Sequence, residues 1–284
     1  MNASLRAALY AIAAGFLFIT LDAAMKFLSG SMPPFQVMFL RFLMGLVVML
    51  PFILRDGVAR YRPRNLAGQG WRALVQTAGL VLLFSALPHI PLADVTAISF
   101  TTPLFVMLGA VLFLGERANW RRWTAAGVGF LGVLIVVAPG LSGAGGFHNL
   151  ILLASAPFMA ASILITKALT RVDGPKTIVV WQAIGVCVCA APLALPGWQW
   201  PTAWEWALLL GAGMFGSLGH WLMAHSLILA DISATQPLRF LTIIWSVLYG
   251  WLLFADQPSL STLAGAAVIF AATSWIARHE ARRP

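Results

Sequence analysis

Charge is what this sequence has least of, and the shortage decides its class. Of the 284 residues, 10% are Asp, Glu, Lys or Arg and 60% are apolar, with a mean hydropathy of +0.87. An ordinary soluble domain is about 25% charged, and a soluble fold could not cover its surface with so few charges. Cysteine is nearly absent: Cys187 and Cys189 stand two apart inside an apolar run, on different sides of a helix, which excludes a shared metal and an easy bridge. Paired carboxylates, a phosphate-cradling glycine loop before a lysine and a histidine pair at metal spacing are all missing; catalysis, a metal and a cofactor are therefore not expected. His220 and His225 are five apart and share no helix face. The formal charge of +9 would suggest a nucleic-acid partner in a soluble chain. Here the basic residues sit in short loops between apolar runs, where they orient a protein in a lipid bilayer.

What is present is a series of apolar runs of membrane-spanning length. The clearest lies within 92–123, LADVTAISFTTPLFVMLGAVLFLGERANWRRW, with Pro103 in its middle and Glu116, Arg117, Arg121 and Arg122 at its end. Ten such runs are predicted, at about 7–28, 34–54, 71–88, 91–115, 122–138, 150–168, 177–195, 204–229, 233–254 and 260–277. Proline and glycine punctuate the breaks, as at Pro33–Pro34, Pro139–Gly140 and Gly174–Pro175. No break is long enough to hold a soluble domain. Arg6 and the first run carry no small-residue cleavage pattern, so this run reads as a retained span.

The sequence also repeats itself. Ala93-Asp94-Val95-Thr96-Ala97 returns as Ala230-Asp231-Ile232-Ser233-Ala234, and Lys26, Leu28 and Pro34 return as Lys167, Leu169 and Pro175 at an offset of 141. Such an echo at half the chain length marks a duplication, with repeats over 1–140 and 148–284. With the amino terminus in the cytoplasm, fifteen of the eighteen Lys and Arg fall on the inner side and the other three, Lys26, Arg41 and Arg239, within spans. Both termini are then cytoplasmic. Five spans per copy is an odd number, so the second copy enters the membrane inverted. In inverted repeats the binding site lies near the midplane between the copies, often where proline interrupts a span; Pro103, Pro157 and Pro237 are such interruptions, or simple packing kinks.

Charges inside spans are costly and mark function first. Asp22 and Lys26 are four apart on the first span, and Asp22 and Arg41 both lie roughly 10 Å below the outer surface at about 1.5 Å of rise per residue, in reach of a salt bridge. Lys26 and its repeat mate Lys167 also read as edge lysines that snorkel. Arg239 lies roughly 9 Å from the inner surface, with His220 and His225 at neighbouring depths. Asp22, Lys26, Arg41 and His225 are candidates for gating or coupling. Phe18, Ser99, Thr102, Ser155, Met159, His220, Gln236, Arg239 and Trp245 are candidates for the cavity wall, although hydroxyls in spans often bond only to backbone. Trp71, Trp120, Trp123, Trp198, Trp200 and Trp204 are expected at the bilayer interfaces, and Trp181 and Trp221 deeper. Gly216-Ser217-Leu218-Gly219-His220 loosely suggests a nucleophile loop, the one hint of an intramembrane enzyme.

Leu92-Ala93-Asp94, Thr102-Pro103-Leu104-Phe105, the Leu114-Gly115-Glu116-Arg117 turn, Gly127 to Gly132 and the weaker copy ending Phe254-Ala255-Asp256 carry a resemblance over the whole chain. It resembles the drug/metabolite transporter superfamily, and within it the ten-span EamA-type exporters. The resemblance implies an all-α integral membrane protein of the bacterial inner membrane: ten transmembrane helices as two inverted five-helix repeats around a central cavity, with the fifth and tenth spans peripheral and access alternating between the two sides. It also implies a small-molecule substrate. The sequence is similar to bacterial amino-acid exporters, including the aromatic amino-acid group, and to uptake carriers for S-adenosylmethionine and riboflavin. A zwitterion would need one basic and one acidic group in an apolar cavity; a ring cofactor would need stacked aromatics and few charges. One chain suffices to enclose such a path, so a monomer is expected.

Overall fold

The computed structural model describes residues 3–90, 95, 98–99, 101–116, 120–141, 146–231, 235, 238, 241–254 and scattered positions from 260 to 275. Among them are nine α-helices: α1 (Ala3–Leu28), α2 (Pro34–Asp56), α3 (Leu66–Ala86), α4 (Thr101–Leu114), α5 (Trp120–Leu141), α6 (Gly146–Leu169), α7 (Pro175–Ala194), α8 (Ala203–Leu229) and α9 (Thr242–Phe254). No strand occurs among the described residues. Half of the predicted tenth span, 260–277, lies outside them. Six helices (α1, α2, α3, α6, α7 and α8) are long and apolar enough to cross a membrane, and their outward faces expose leucine and phenylalanine, as a lipid-facing surface must.

Local sequence sets where these helices start and stop. Pro34 and Pro175 open α2 and α7, where a missing N–H costs nothing. Asn65 caps α3 by accepting from Gly68 N at 2.8 Å. Thr202 and Glu205 form a reciprocal capping box at the start of α8. The Asn65 cap has a consequence for charge: α3 begins five residues before the predicted 71. Arg72, expected at the inner edge of that span, is therefore a buried helix residue.

Polar contacts fix the helix directions. Ser226 donates to Ala7 O at 2.9 Å and Ser31 to Glu205 Oε1 at 2.6 Å, so α8 runs antiparallel to α1. Asp173, in the turn between α6 and α7, accepts from Arg64 N and Gln69 Nε2 near the start of α3, while His148 near the start of α6 stacks on His89 just beyond α3. The end of α6 lies beside the end of α8 through Lys167. Hence α6 runs opposite to α1. The pairings are α1 with α8, α2 with α8, α2 with α7, α3 with α6, α3 with α7, α4 with α6 and α1 with α9.

Small residues let these helices approach closely. A Cβ at Gly213 of α8 would lie 2.6 Å from the backbone of Met44 and Gly45 in α2, and one at Gly185 of α7 would lie 2.4 Å from Ala73 in α3. Gly45 and Gly185 are 140 residues apart, and so are Ala73 and Gly213: the two crossings use matched positions. Two apolar clusters then bracket the middle of the molecule. One is built from residues such as Leu28, Val37, Met38 and Leu87; the other contains Ala14, Val106, Met223 and Leu227.

Candidate functional site

Four helices turn a polar stripe inward and leave a cavity of about 170 Å³ between the two clusters. The spacing is helical throughout. Phe18, Asp22 and Met25 come from α1; Arg72, Gln76, Leu80 and Leu83 from α3; Ser155, Met159, Ser162 and Thr166 from α6; His220, Met223 and Leu227 from α8. Arg41 of α2, Ser99 and Thr102 complete the wall. Several wall positions are repeat mates: Phe18 and Met159, Leu21 and Ser162, Asp22 and Ile163, and Met25 and Thr166 are each 141 apart, and all eight line the cavity.

Of the residues proposed from sequence, the structure brings Phe18, Asp22, Arg41, Ser99, Thr102, Ser155, Met159 and His220 together on this wall. Gln236 and Arg239 lie outside the described residues, as does Asp94. Lys26 sits half-buried in the last turn of α1, outside the wall. His225 meets Trp221 at 4.1 Å between ring centroids and faces Tyr10 edge-on. Trp245 packs edge-on against Phe16 at 5.1 Å. Trp181 is tied near the start of α7 by donating to Tyr61 O at 2.7 Å. Trp71, Trp120, Trp123, Trp200 and Trp204 are exposed, whereas Trp198 is partly covered by Phe39.

Among the described residues, three charged side chains face this space, Asp22, Arg41 and Arg72. Arg41 is 6% exposed, lies over the Phe42 ring at 4.1 Å and feels the charge of Asp22. Arg72, which the sequence places at the inner edge of the predicted span 71–88, is held by α7: its Nη1 donates to Ile178 O at 3.0 Å and its Nη2 to Gln182 Oε1 at 2.6 Å. Because the Gln182 oxygen is taken by Arg72, its amide nitrogen faces His220 Nε2 at 2.9 Å. An amide nitrogen only donates, so the network assigns an unprotonated Nε2, and a neutral His220 carries its proton on Nδ1. The His220 ring is completed by Phe18, edge-on at 4.8 Å.

The hydroxyls are less committed. Ser99 donates to Val95 O, Ser155 to Leu152 O and Thr166 to Ser162 O, each on its own helix turn. Their oxygens remain acceptors. Ser162 reaches across to Gln76 Oε1 at 3.4 Å, linking α6 to α3. No group of three or more His, Cys, Asp or Glu suited to a metal occurs among the described residues. Gln76 and Gln182, like Arg72, were missed from sequence; an amide inside an apolar run was the available signal.

Comparison with known proteins identifies the family. The sequence profile of the EamA-like transporter family matches twice, at residues 5–138 and 147–278. The chain is 33% identical to the riboflavin transporter of Rhizobium johnstonii, over 97% of this chain and 92% of that one. It is 30% identical to the S-adenosylmethionine uptake transporter of Rickettsia bellii, over 97% and 96%. It is also 30% identical to the pseudopaline exporter CntI of Pseudomonas aeruginosa, over 95% of each. A crystal structure at 21% identity superposes with a TM-score of 0.80 over 100% of this chain and 99% of its own, which shows the shared fold. On the strength of the doubled profile match and the full-length relatives, this all-helical membrane protein belongs to the EamA-like transporter family.

Proposed function

We propose that the chain is an inner-membrane secondary transporter that exports amino acids, neutral and aromatic ones included, by alternating access around the cavity just described. The observation that carries the substrate class is the meeting of Asp22 and Arg41 on one otherwise largely apolar wall beside Phe18, Met25 and Met159. Asp22 and Arg41 supply an acid and a base for a zwitterion, with Arg72 a further base on the same wall, and the apolar residues supply soft surface for a side chain. A dry cavity of about 150 Å³ accepts a benzene-sized guest, so about 170 Å³ suits a solute of one ring or less in this conformation.

The architecture in this proposal is two inverted five-helix repeats, 1–140 and 148–284, with both termini cytoplasmic. Three observations support it. Exchanging the halves maps α1–α8 onto α6–α3, α2–α8 onto α7–α3 and α4–α6 onto α9–α1; α6 runs opposite to α1; and Arg55, Arg60, Arg62, Arg64, Arg171 and Lys176 gather at the end where α1 begins. Rocking one repeat against the other exposes the same wall to each side in turn. An enzyme is disfavoured by the Gly216–His220 segment itself, which is a helical stretch of α8 and no loop: Ser217 donates to Gly45 O at 3.3 Å while His220 pairs with Gln182, so this histidine does not activate the hydroxyl.

A second reading, uptake of S-adenosylmethionine or riboflavin, is favoured by the names of the relatives. Proteoliposomes holding the purified protein separate the two. Labelled Met, Thr, Phe, Trp, S-adenosylmethionine and riboflavin are offered with and without a pH gradient. Accumulation of an amino acid, with Asp22→Asn removing only the gradient-dependent part, upholds the first reading. Movement of the ring cofactors alone replaces it with the second, and no movement of any of the six refutes transport of this substrate set and turns the search to other metabolites.

A further inference from the structure

Arg72 is the feature that a neutral zwitterion does not explain. It lies on the second turn of α3, is 3% exposed, and lines the same cavity as Asp22 and Arg41. A guanidinium offers five N–H donors. Protein oxygens take two of them, Ile178 O and Gln182 Oε1, and Nε is buried without a partner. Both acceptors are neutral. They orient the group but leave its charge unbalanced, and an uncompensated buried charge is among the costliest features a fold can carry. Arg41 differs, since the carboxylate of Asp22 acts on it.

Among the described residues the wall therefore holds two guanidiniums and one carboxylate, and the network leaves Nε2 of His220 unprotonated. A site with surplus positive charge is matched by a guest with surplus negative charge. We propose that Arg72 binds an anionic oxygen of the transported solute, a carboxylate, and that the cavity selects organic acids and acidic amino acids over their neutral isosteres and over net cations. This rests on the transport reading of the cavity and narrows its substrate class. A planar, bidentate donor is the side chain best shaped for a carboxylate. Gln182 holds the guanidinium by its edge while Asp22 and Arg41 receive the rest of the solute. Net-cationic sulfonium compounds are the guests such a wall discriminates against most.

The test uses pairs of equal shape and different charge: glutamate against glutamine, and aspartate against asparagine, with lysine and inorganic phosphate as further probes. Binding to the purified full-length protein is read by radioligand displacement. The native protein is expected to prefer the acid of each pair by about tenfold or more, since a site built around a polar contact rejects the isostere lacking it. Arg72→Gln should bring the preference within about twofold. Arg72→Lys, which keeps the charge without the fork, should retain part of it and serves if the glutamine variant does not fold. Equal preference in native protein and both Arg72 variants overturns the assignment and leaves Arg72 a stitch between α3 and α7. Tighter binding of phosphate than of any carboxylate overturns the carboxylate class. Amino acids bound with no preference for the acid refute this inference but not the transport reading, whereas no binding of any probe by native protein refutes the transport reading beneath it.

Discussion

Lys167 Nζ donates to the carbonyl of Ala230 at 2.9 Å and also to that of Leu227, closing the C-terminal end of α8 with the last turn of α6. The last carbonyls of a helix have no partner of their own, and a cation there also opposes the helix dipole. Glu116 and Asp231 add negative charge around the same ammonium. Thr166 and Leu227, next to the contact, both line the cavity. The lysine thus joins opposite walls at the end where α1 begins.

Removing that tie should open this end. Hydrogen bonds to a charged group are worth about 1.5–3 kcal/mol, so Lys167→Gln should shift the population toward the open form by about tenfold. The probe is a cysteine at Thr166 in a chain whose Cys187 and Cys189 are replaced by alanine. Its modification by an impermeant maleimide from the side of α1's start should accelerate by a similar factor in Lys167→Gln. An unchanged rate would mean that closure does not depend on the lysine.

The close crossing of α2 and α8 makes a second prediction. At Gly213 a methyl group would strike the backbone of Met44 and Gly45, which cannot rotate away. Gly213→Ala should lower the unfolding temperature in detergent, by overpacking worth about 1–3 kcal/mol. Gly127→Ala and Gly211→Ala meet nothing within 4 Å and should be neutral or stabilising, because alanine is the better helix former by about 1 kcal/mol. Equal effects at all three positions would show that the helices have room to part.

How far the sequence reaches can be judged from individual residues. Asp22 and Arg41 were readable because a charge deep in an apolar run has no cheap explanation. Arg72 was not, because an arginine six residues inside a helix looks like a span-edge residue when the helix start is read from hydropathy alone; Asn65 was the overlooked start signal. Lys167 was expected to snorkel outward, but the carbonyls of Leu227 and Ala230 at the end of α8 take its ammonium and turn it inward. The helices themselves were legible from apolar length. Which face of each points at the cavity was much less so, since lipid and core select the same side chains and only amides, hydroxyls and charges mark the inner stripe.

Topology offers a third prediction. The arginine-rich segment between α2 and α3 and the turn around Asp173 share one end of the molecule, while the segment between α7 and α8, where Gln36 meets Gln199, lies at the other. With the basic end cytoplasmic, single cysteines at Arg62 and Trp200 should be labelled from opposite sides of sealed, oriented membranes: Arg62→Cys from the cytoplasmic side and Trp200→Cys from the outside. Labelling of both from one side would contradict the helix directions. The reverse pattern would invert the assignment of the termini.

Gln182 carries the last prediction, because it stands between Arg72 and His220 and its two ends do different things. Gln182→Leu strips an acceptor from a buried cation and a donor from a buried ring nitrogen. Unsatisfied groups of this kind cost about 1–3 kcal/mol each, so stability should fall. Gln182→Glu acts in two directions at once. The new carboxylate neutralises Arg72, which should raise the unfolding temperature, and the lost amide donor lets His220 turn its proton to Nε2 and donate to the carboxylate instead. The same neutralisation should weaken glutamate binding by about tenfold if Arg72 holds a substrate carboxylate, because the charge meant for the guest is then met by the protein. A structural role alone predicts higher stability with binding intact. Melting temperature and glutamate affinity measured on the same Gln182→Glu preparation therefore distinguish an arginine that only joins helices from one that holds the cargo.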